Sequence, residues 1–236
     1  MKTIIHKANT RGFADHGWLK TYHTFSFANY YDPQRTHFGL LRVLNDDTVG
    51  PGMGFGTHPH DNMEIITIPL SGSLEHKDSM GTGSVIKPNE VQIMSAGTGI
   101  THSEFNHSSS ELVKLLQIWV FPKQKNIKPR YDQQIFLPSN GLNKFQLIVS
   151  PDKSDNSMLI NQDAWFSLGH FDKDQKLEYA MNKKEHGAYI FVIEGKAEIA
   201  GEHLEKRDGI GIYDTDSFFI NVNDTAYILI MEVPMR

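Results

Sequence analysis

The chain contains no cysteine. That absence excludes disulfides, thiolate metal sites and cysteine nucleophiles, and it suits a reducing compartment. Long apolar runs are also missing, and none approaches the ~18 residues that cross a bilayer as a helix. The start, Met1-Lys2-Thr3-Ile4-Ile5-His6-Lys7, has neither a long apolar core nor a small-residue cleavage signature, so no signal peptide is expected there. There is no excess of positive charge: 23 Lys and Arg stand against 28 Asp and Glu, a net charge of -5 with His neutral. Direct nucleic-acid binding needs a basic footprint and is not expected. No long amphipathic helix can be traced. The expectation is a cytoplasmic protein that does not contact membranes.

What is present is a soluble globular composition, 39% hydrophobic and 22% charged over 236 residues. That length suffices for one large domain or two ordinary ones. Short apolar runs alternate with turns: Met63 to Leu70, Leu74 to Ser79, Val91 to Met94 and Leu115 to Val120, then Phe145 to Val149, Ala188 to Glu194 and Tyr227 to Val233. Runs this short at this spacing predict an all-β barrel or sandwich. His37 to Asn45 reads as a strand ending in a turn at Asn45-Asp46-Asp47. The aromatic run Tyr22 to Tyr31 reads as core packing, with His23 inside it as a hydrogen-bonded structural residue. Pro122 to Pro129, polar and basic, reads as a linker or long surface loop.

Two stretches hold candidate metal ligands. His58-Pro59-His60 follows Gly52, Gly54 and Gly56; His102-Ser103-Glu104 follows Gly97 and Gly99. On a strand, residues i and i+2 share a face about 7 Å apart, so long side chains at that spacing can converge on one ion. With 12 histidines in the chain, one His-x-His pair is close to chance, and His203-Leu204-Glu205 is a decoy. The glycine settings are what raise the signal, because glycine permits tight turns and close backbone approach. Three imidazoles and a carboxylate suit Fe, Mn, Ni, Cu or Zn better than Ca or Mg. His76 and Asp78 also share a strand face, but without glycines around them they read as an exposed polar pair. His186 stands alone and is not expected to be a ligand.

The two halves read as a degenerate repeat. Ile65 to Gly72 parallels Ala188 to Gly195, and aligning the glycines puts His58 on Met181, His60 on Lys183 and Glu64 on Gly187. The stretch matching His102 and Glu104 falls near Phe219 to Val222, which has no ligand. The expected division is 1–128, a metal-binding barrel, and 129–236, a degenerate barrel without ligands.

Gly52, His58-Pro59-His60, Glu64 and Gly72 together resemble the first cupin motif, with the closing glycine one residue later than usual. Gly99-Ile100-Thr101-His102 and Asn106 resemble the second, with Gly97 where proline is usual. Within the cupins the chain resembles the pirins, from His16-Gly17-Trp18-Leu19 through His23 to Pro33, Leu41 to Asp47 and the two ligand stretches to Pro129-Arg130-Tyr131. The resemblance implies two tandem cupin barrels (double-stranded β-helix, or jelly-roll; a bicupin). It implies one mononuclear divalent metal, usually Fe(II), held by His58, His60, His102 and Glu104, while Glu64, the usual cupin carboxylate, is not a ligand. It also implies a quercetin 2,3-dioxygenase-like activity on a small aromatic substrate and O2, with Glu104 as general base. Phe55, Met63 and Met94 are candidates for lining the substrate pocket or, equally, for barrel core. Some pirins resemble redox-sensing regulators of protein partners, the alternative reading. A complete open site and the lack of an obvious partner motif favour the enzyme.

Overall fold

The computed structural model describes residues 1–236 and contains strands and three short 3-10 turns, with no α-helix. No helix is long and apolar enough to cross a membrane. The first barrel closes from two sheets. A seven-stranded sheet runs in the order Arg130–Ile135, Glu90–Ser95, Glu64–Ser71, Val113–Val120, Leu41–Val49, Leu19–His23, Gly12–Asp15. A four-stranded sheet runs Gly54–His60, Ile100–Asn106, Leu74–Asp78, Gly83–Ile86. The second barrel is built on a ten-stranded sheet. The all-β, two-barrel cupin architecture expected from the sequence is the one observed.

Packing explains why many strands read as unbroken apolar runs. The outer face of the seven-stranded sheet lies against the second barrel. Leu41, Leu44, Ile66, Ile68, Leu116 and Ile118 join Phe166, Tyr189, Phe191, Leu229 and Met231 in one core of 25 buried residues. Strand Val113–Val120 shows the division of labour. Leu116, Ile118 and Val120 face this shared core. Val113 and Leu115 point inward to an apolar cluster at one end of the first barrel, and Trp119 packs on another with Ile65 and Met94. Gln117 lies between them. The first barrel therefore keeps its apolar inner side chains at its ends and polar ones in the middle.

The second barrel differs inside. Its own interior is a continuous cluster of 16 buried residues, including Tyr179, Ile190, Phe218, Ile220, Ile228 and Ile230. Strands Gln175–Ala180 and Ser217–Val222 pair as Gly54–His60 and Ile100–Asn106 do. Their inward positions are Leu177, Tyr179, Phe218 and Ile220, with no metal ligand among them.

Two features differ from the sequence expectations. The chain crosses the division at 128/129 twice. Strand Lys2–His6 pairs with Gly209–Tyr213 in the second barrel, and Arg130–Ile135 pairs with Glu90–Ser95 in the first. Each half thus lends the other an edge strand, a long-range pairing that composition does not signal. Asn45 to Asp47 is also not a turn, because strand Leu41–Val49 runs through it. Pairing with Gln117 on one side and His23 on the other holds Asn45 extended, and its side chain accepts a hydrogen bond from His23 Nδ1 at 2.9 Å.

Charge also ties the barrels together. Asp46, on the first barrel, lies 3.3 Å from Arg11 and 3.1 Å from Arg207 of the second. The Arg11 side chain is only 4% exposed. Removing one partner strands a buried charge. Asp46→Ala should therefore cost about 3–5 kcal/mol and lower the melting temperature by roughly 6–20 °C. A calorimetric melting point within about 2 °C of the parent would show that the bridge does not hold the barrels together.

Candidate metal centre

Strand Ile100–Asn106 lies between Gly54–His60 and Leu74–Asp78. His102 sits directly opposite His58, and Ile100 opposite His60. The ladder then shifts register between His102 and Glu104, so Glu104 faces Phe55. Glycine makes this shift feasible: a Cβ at Gly54 would run into the Glu104 carbonyl and the Phe105 backbone.

The three imidazoles converge. Their ring centroids are 4.4 Å apart for His58 and His102, and 4.9 Å for His60 with either partner. One nitrogen from each lies within 4.8 Å of the others. His58 Nδ1–H donates to the Gly56 carbonyl at 2.8 Å, which leaves the Nε2 lone pair free. His102 Nε2 is buried and has no hydrogen-bond partner. Burial, reinforced by the neighbouring His rings, depresses the His102 pKa to about 2. Burial, then His58, depresses that of His60 to about 4. Neutral imidazoles with unpartnered lone pairs are what a divalent cation requires.

Glu104 belongs to a second, overlapping group with His76 and His102, not to the triad itself. Gln117 Nε2–H donates to its two carboxyl oxygens at 3.1 and 3.4 Å, and Thr67 donates to Gln117 at 3.2 Å. Burial raises the Glu104 pKa to about 7, with Gln117 and Thr67 opposing. Glu64 points the other way. Its carboxyl accepts from Ser95 Oγ and the Asn161 N–H at 2.8 and 3.1 Å, and it does not join either His/Glu group.

A cavity of about 220 Å³ opens beside these groups, lined by Phe27, Asn45, Asp47, Phe55, Ile65, Gln117 and Trp119 as well as His58, His60, His102 and Glu104. Phe55 is on this wall. Met63 lines a wider outer cleft of about 660 Å³ that shares His60 and Trp119 with the cavity. Met94 is fully buried in barrel core and lines neither. Two further polar atoms of the wall lack partners, Asp47 Oδ1 and Trp119 Nε1. Burial raises the Asp47 carboxyl to about 7.

Sequence reasoning missed Gln117, Thr67, Asn45, Asp47 and Trp119. A polar residue inside an apolar strand, such as Gln117 in Leu115 to Val120, was the available signal. It also misplaced His76 and Asp78, expected at the surface. Both side chains are 0% exposed, and His76 Nε2 lies 3.1 Å from Asp78 Oδ2. Tyr131, on the strand after the linker, packs over His76 with ring centroids 4.7 Å apart. Burial lowers the His76 pKa, with Asp78 opposing. In the second barrel His186 stands apart from both groups, against Trp165 and Glu232. His203 and Glu205 are exposed.

Comparison with known proteins identifies the scaffold. The pirin family model matches residues 5–120, and the model described as quercetinase C-terminal cupin domain matches residues 147–233. An Escherichia coli protein named quercetin 2,3-dioxygenase is 44% identical over 98% of each chain. The chain belongs to the pirin family. A pirin-like protein of Caulobacter vibrioides is 37% identical over 94% of this pirin and 95% of its own length. A solved structure of the Escherichia coli bacterial pirin YhhW in complex with nickel(II) superimposes with a TM-score of 0.94 at 42% identity, covering 99% of both chains.

One departure from the usual cupin motif has a physical cause. Gly97, where proline is common, has φ +50°, and a Cβ there would meet the Ile127 carbonyl of the linker. Proline is locked near φ -65°. Gly97→Pro should therefore cost about 3 kcal/mol or more and reduce the yield of folded protein. A variant melting at the parental temperature would contradict this backbone assignment.

Proposed function

We propose that this pirin is a dioxygenase with one divalent metal, Fe(II), that opens a quercetin-like flavonol or related small aromatic enol with O2 and releases carbon monoxide. The observation that carries the reading is the convergence of three imidazoles, one with a buried unpartnered nitrogen, on an aromatic-walled cavity. The name of the Escherichia coli relative supports it. His58, His60 and His102 would hold the metal with Glu104. This nitrogen-rich set with one oxygen suits first-row transition metals, and the nickel in the YhhW structure is of that kind.

When bound, the metal would polarise adjacent hydroxyl and carbonyl oxygens of the substrate and supply the one-electron chemistry that O2 requires. Glu104 accepts the hydroxyl proton. Its pKa of about 7 in the metal-free chain lies near that suited to a general base at neutral pH. Gln117 orients the carboxyl from behind, and Thr67 orients Gln117. Phe27, Phe55 and Trp119 enclose a flat ring and exclude water. Pockets for drug-sized ligands usually measure ~300–1,000 Å³. The cavity, at about 220 Å³, takes the reacting ring, and the rest of a fused-ring substrate extends past His60 and Trp119 into the outer cleft.

Fe(II)-loaded protein should consume quercetin and O2 and evolve carbon monoxide, whereas a His58→Ala/His60→Ala variant should do neither. Wild-type protein that binds one iron yet leaves quercetin intact would remove the enzymatic reading. Metal affinity should also weaken as pH falls below about 7, because a proton on Glu104 competes with the cation. His60 and His102, at about 4 and about 2, stay neutral there. Titrated by competition with a chelator between pH 5 and 7, Glu104→Gln should lose about one proton from that slope. An unchanged slope would take Glu104 out of the ligand set.

A further inference from the structure

His102 is the only member of the triad held by another titratable side chain. Its Nε2 has no partner, and the one hydrogen-bond partner of its ring is His76 Nδ1, 3.5 Å from its own Nδ1. His76 in turn meets Asp78 Oδ2 through Nε2 at 3.1 Å. Asp78 is itself anchored: its Oδ1 accepts the backbone N–H groups of Met80 and Thr82 at 2.9 and 3.0 Å. His76 is packed between the rings of His102 and Tyr131, with centroids 5.3 and 4.7 Å away.

The order of donors and acceptors follows from this geometry. A neutral imidazole carries one N–H. The carboxylate accepts from Nε2–H of His76, so His76 Nδ1 has only a lone pair. The hydrogen bond between the two Nδ1 atoms then requires the proton on His102, whose Nε2 is left as a bare lone pair at the convergence point. A fully buried His-Asp pair could be simple core filling, but core filling does not require a chain ending on an unpartnered ligand nitrogen.

We propose that Asp78 and His76 are positioning residues that fix the tautomer and ring plane of His102 for metal binding. The proposal rests on His102 being a metal ligand, and it is independent of the substrate. Outer partners of this kind commonly change metal affinity by about 10–100-fold.

Asp78→Asn tests the polarity of the chain. The two backbone N–H groups hold the amide oxygen at the Oδ1 position, so the amide NH2 faces His76 Nε2 and donates. The His76 proton then sits on Nδ1, His102 Nδ1 must accept, and the His102 proton occupies Nε2, where the metal should bind. The full-length chain, stripped and titrated with Co(II), should bind about 10–100-fold more weakly in Asp78→Asn. Its visible Co(II) absorption should change, while the metal-free melting temperature holds. His76→Leu should lose affinity similarly. His76→Asn, whose side-chain oxygen can stand near the lost Nδ1, should recover part of it.

Wild-type affinity and spectrum in Asp78→Asn would overturn the proposal. So would equal losses in His76→Leu and His76→Asn, or losses that merely track the metal-free melting temperature. Wild-type protein that takes up no Co(II) would overturn the metal centre along with the chain behind it.

Discussion

Burial of apolar surface between the two barrels, rather than inside the first, is the constraint on which the remaining features depend. The seven-stranded sheet turns Leu44, Ile66, Ile68, Leu116 and Ile118 outward, into a core shared with Tyr189, Phe191 and Leu229. Hydrophobic stabilisation scales with the area removed from water, wherever that area lies. The inner face of the same sheet can therefore carry Asn45, Asp47, Thr67 and Gln117 without emptying the protein of its core. The second barrel provides the apolar face opposite and fills its own interior with Ile190, Ile220 and Ile228. The asymmetry between the halves is thus functional on one side and structural on the other.

A polar interior is stable only when its hydrogen-bonding groups find partners. Most do so here through chains that begin in the sheet and end at the site. Thr67 supports Gln117, and Gln117 supports Glu104. Six buried side-chain atoms are left without a partner, and three of them, His102 Nε2, Asp47 Oδ1 and Trp119 Nε1, belong to residues of one cavity wall. Unpaired polar atoms cost folding free energy, and three on a single wall mark a site shaped for something other than its own stability.

Much of this was legible in the residues. The short apolar runs marked an all-β fold, the register of Gly72 against Gly195 marked its two-barrel repeat, and the two His pairs with their glycines supplied the histidines that the fold brings together. What stayed hidden was non-local. Asn45-Asp46-Asp47 has turn chemistry, yet neighbours on both sides hold it in a strand. His76 and Asp78 looked like surface residues until Tyr131, more than fifty positions away, was seen to cover them. Met94 and Phe55 were equivalent candidates by sequence, but only Phe55 reaches the cavity. Strands buried on both faces also lack a clean alternation, which blunted the period-two signal.

The exchange of edge strands orders events in time as well as in space. A ribosome releases the chain from its first residue, and domains usually complete themselves as they emerge. Strand Lys2–His6 cannot do so, because its partner Gly209–Tyr213 lies near the other end. It waits through the synthesis of nearly the whole chain with its edge unpaired. That pairing is a long-range step, of the kind that slows folding, and it ties the start of the first barrel's chain into the second barrel's sheet.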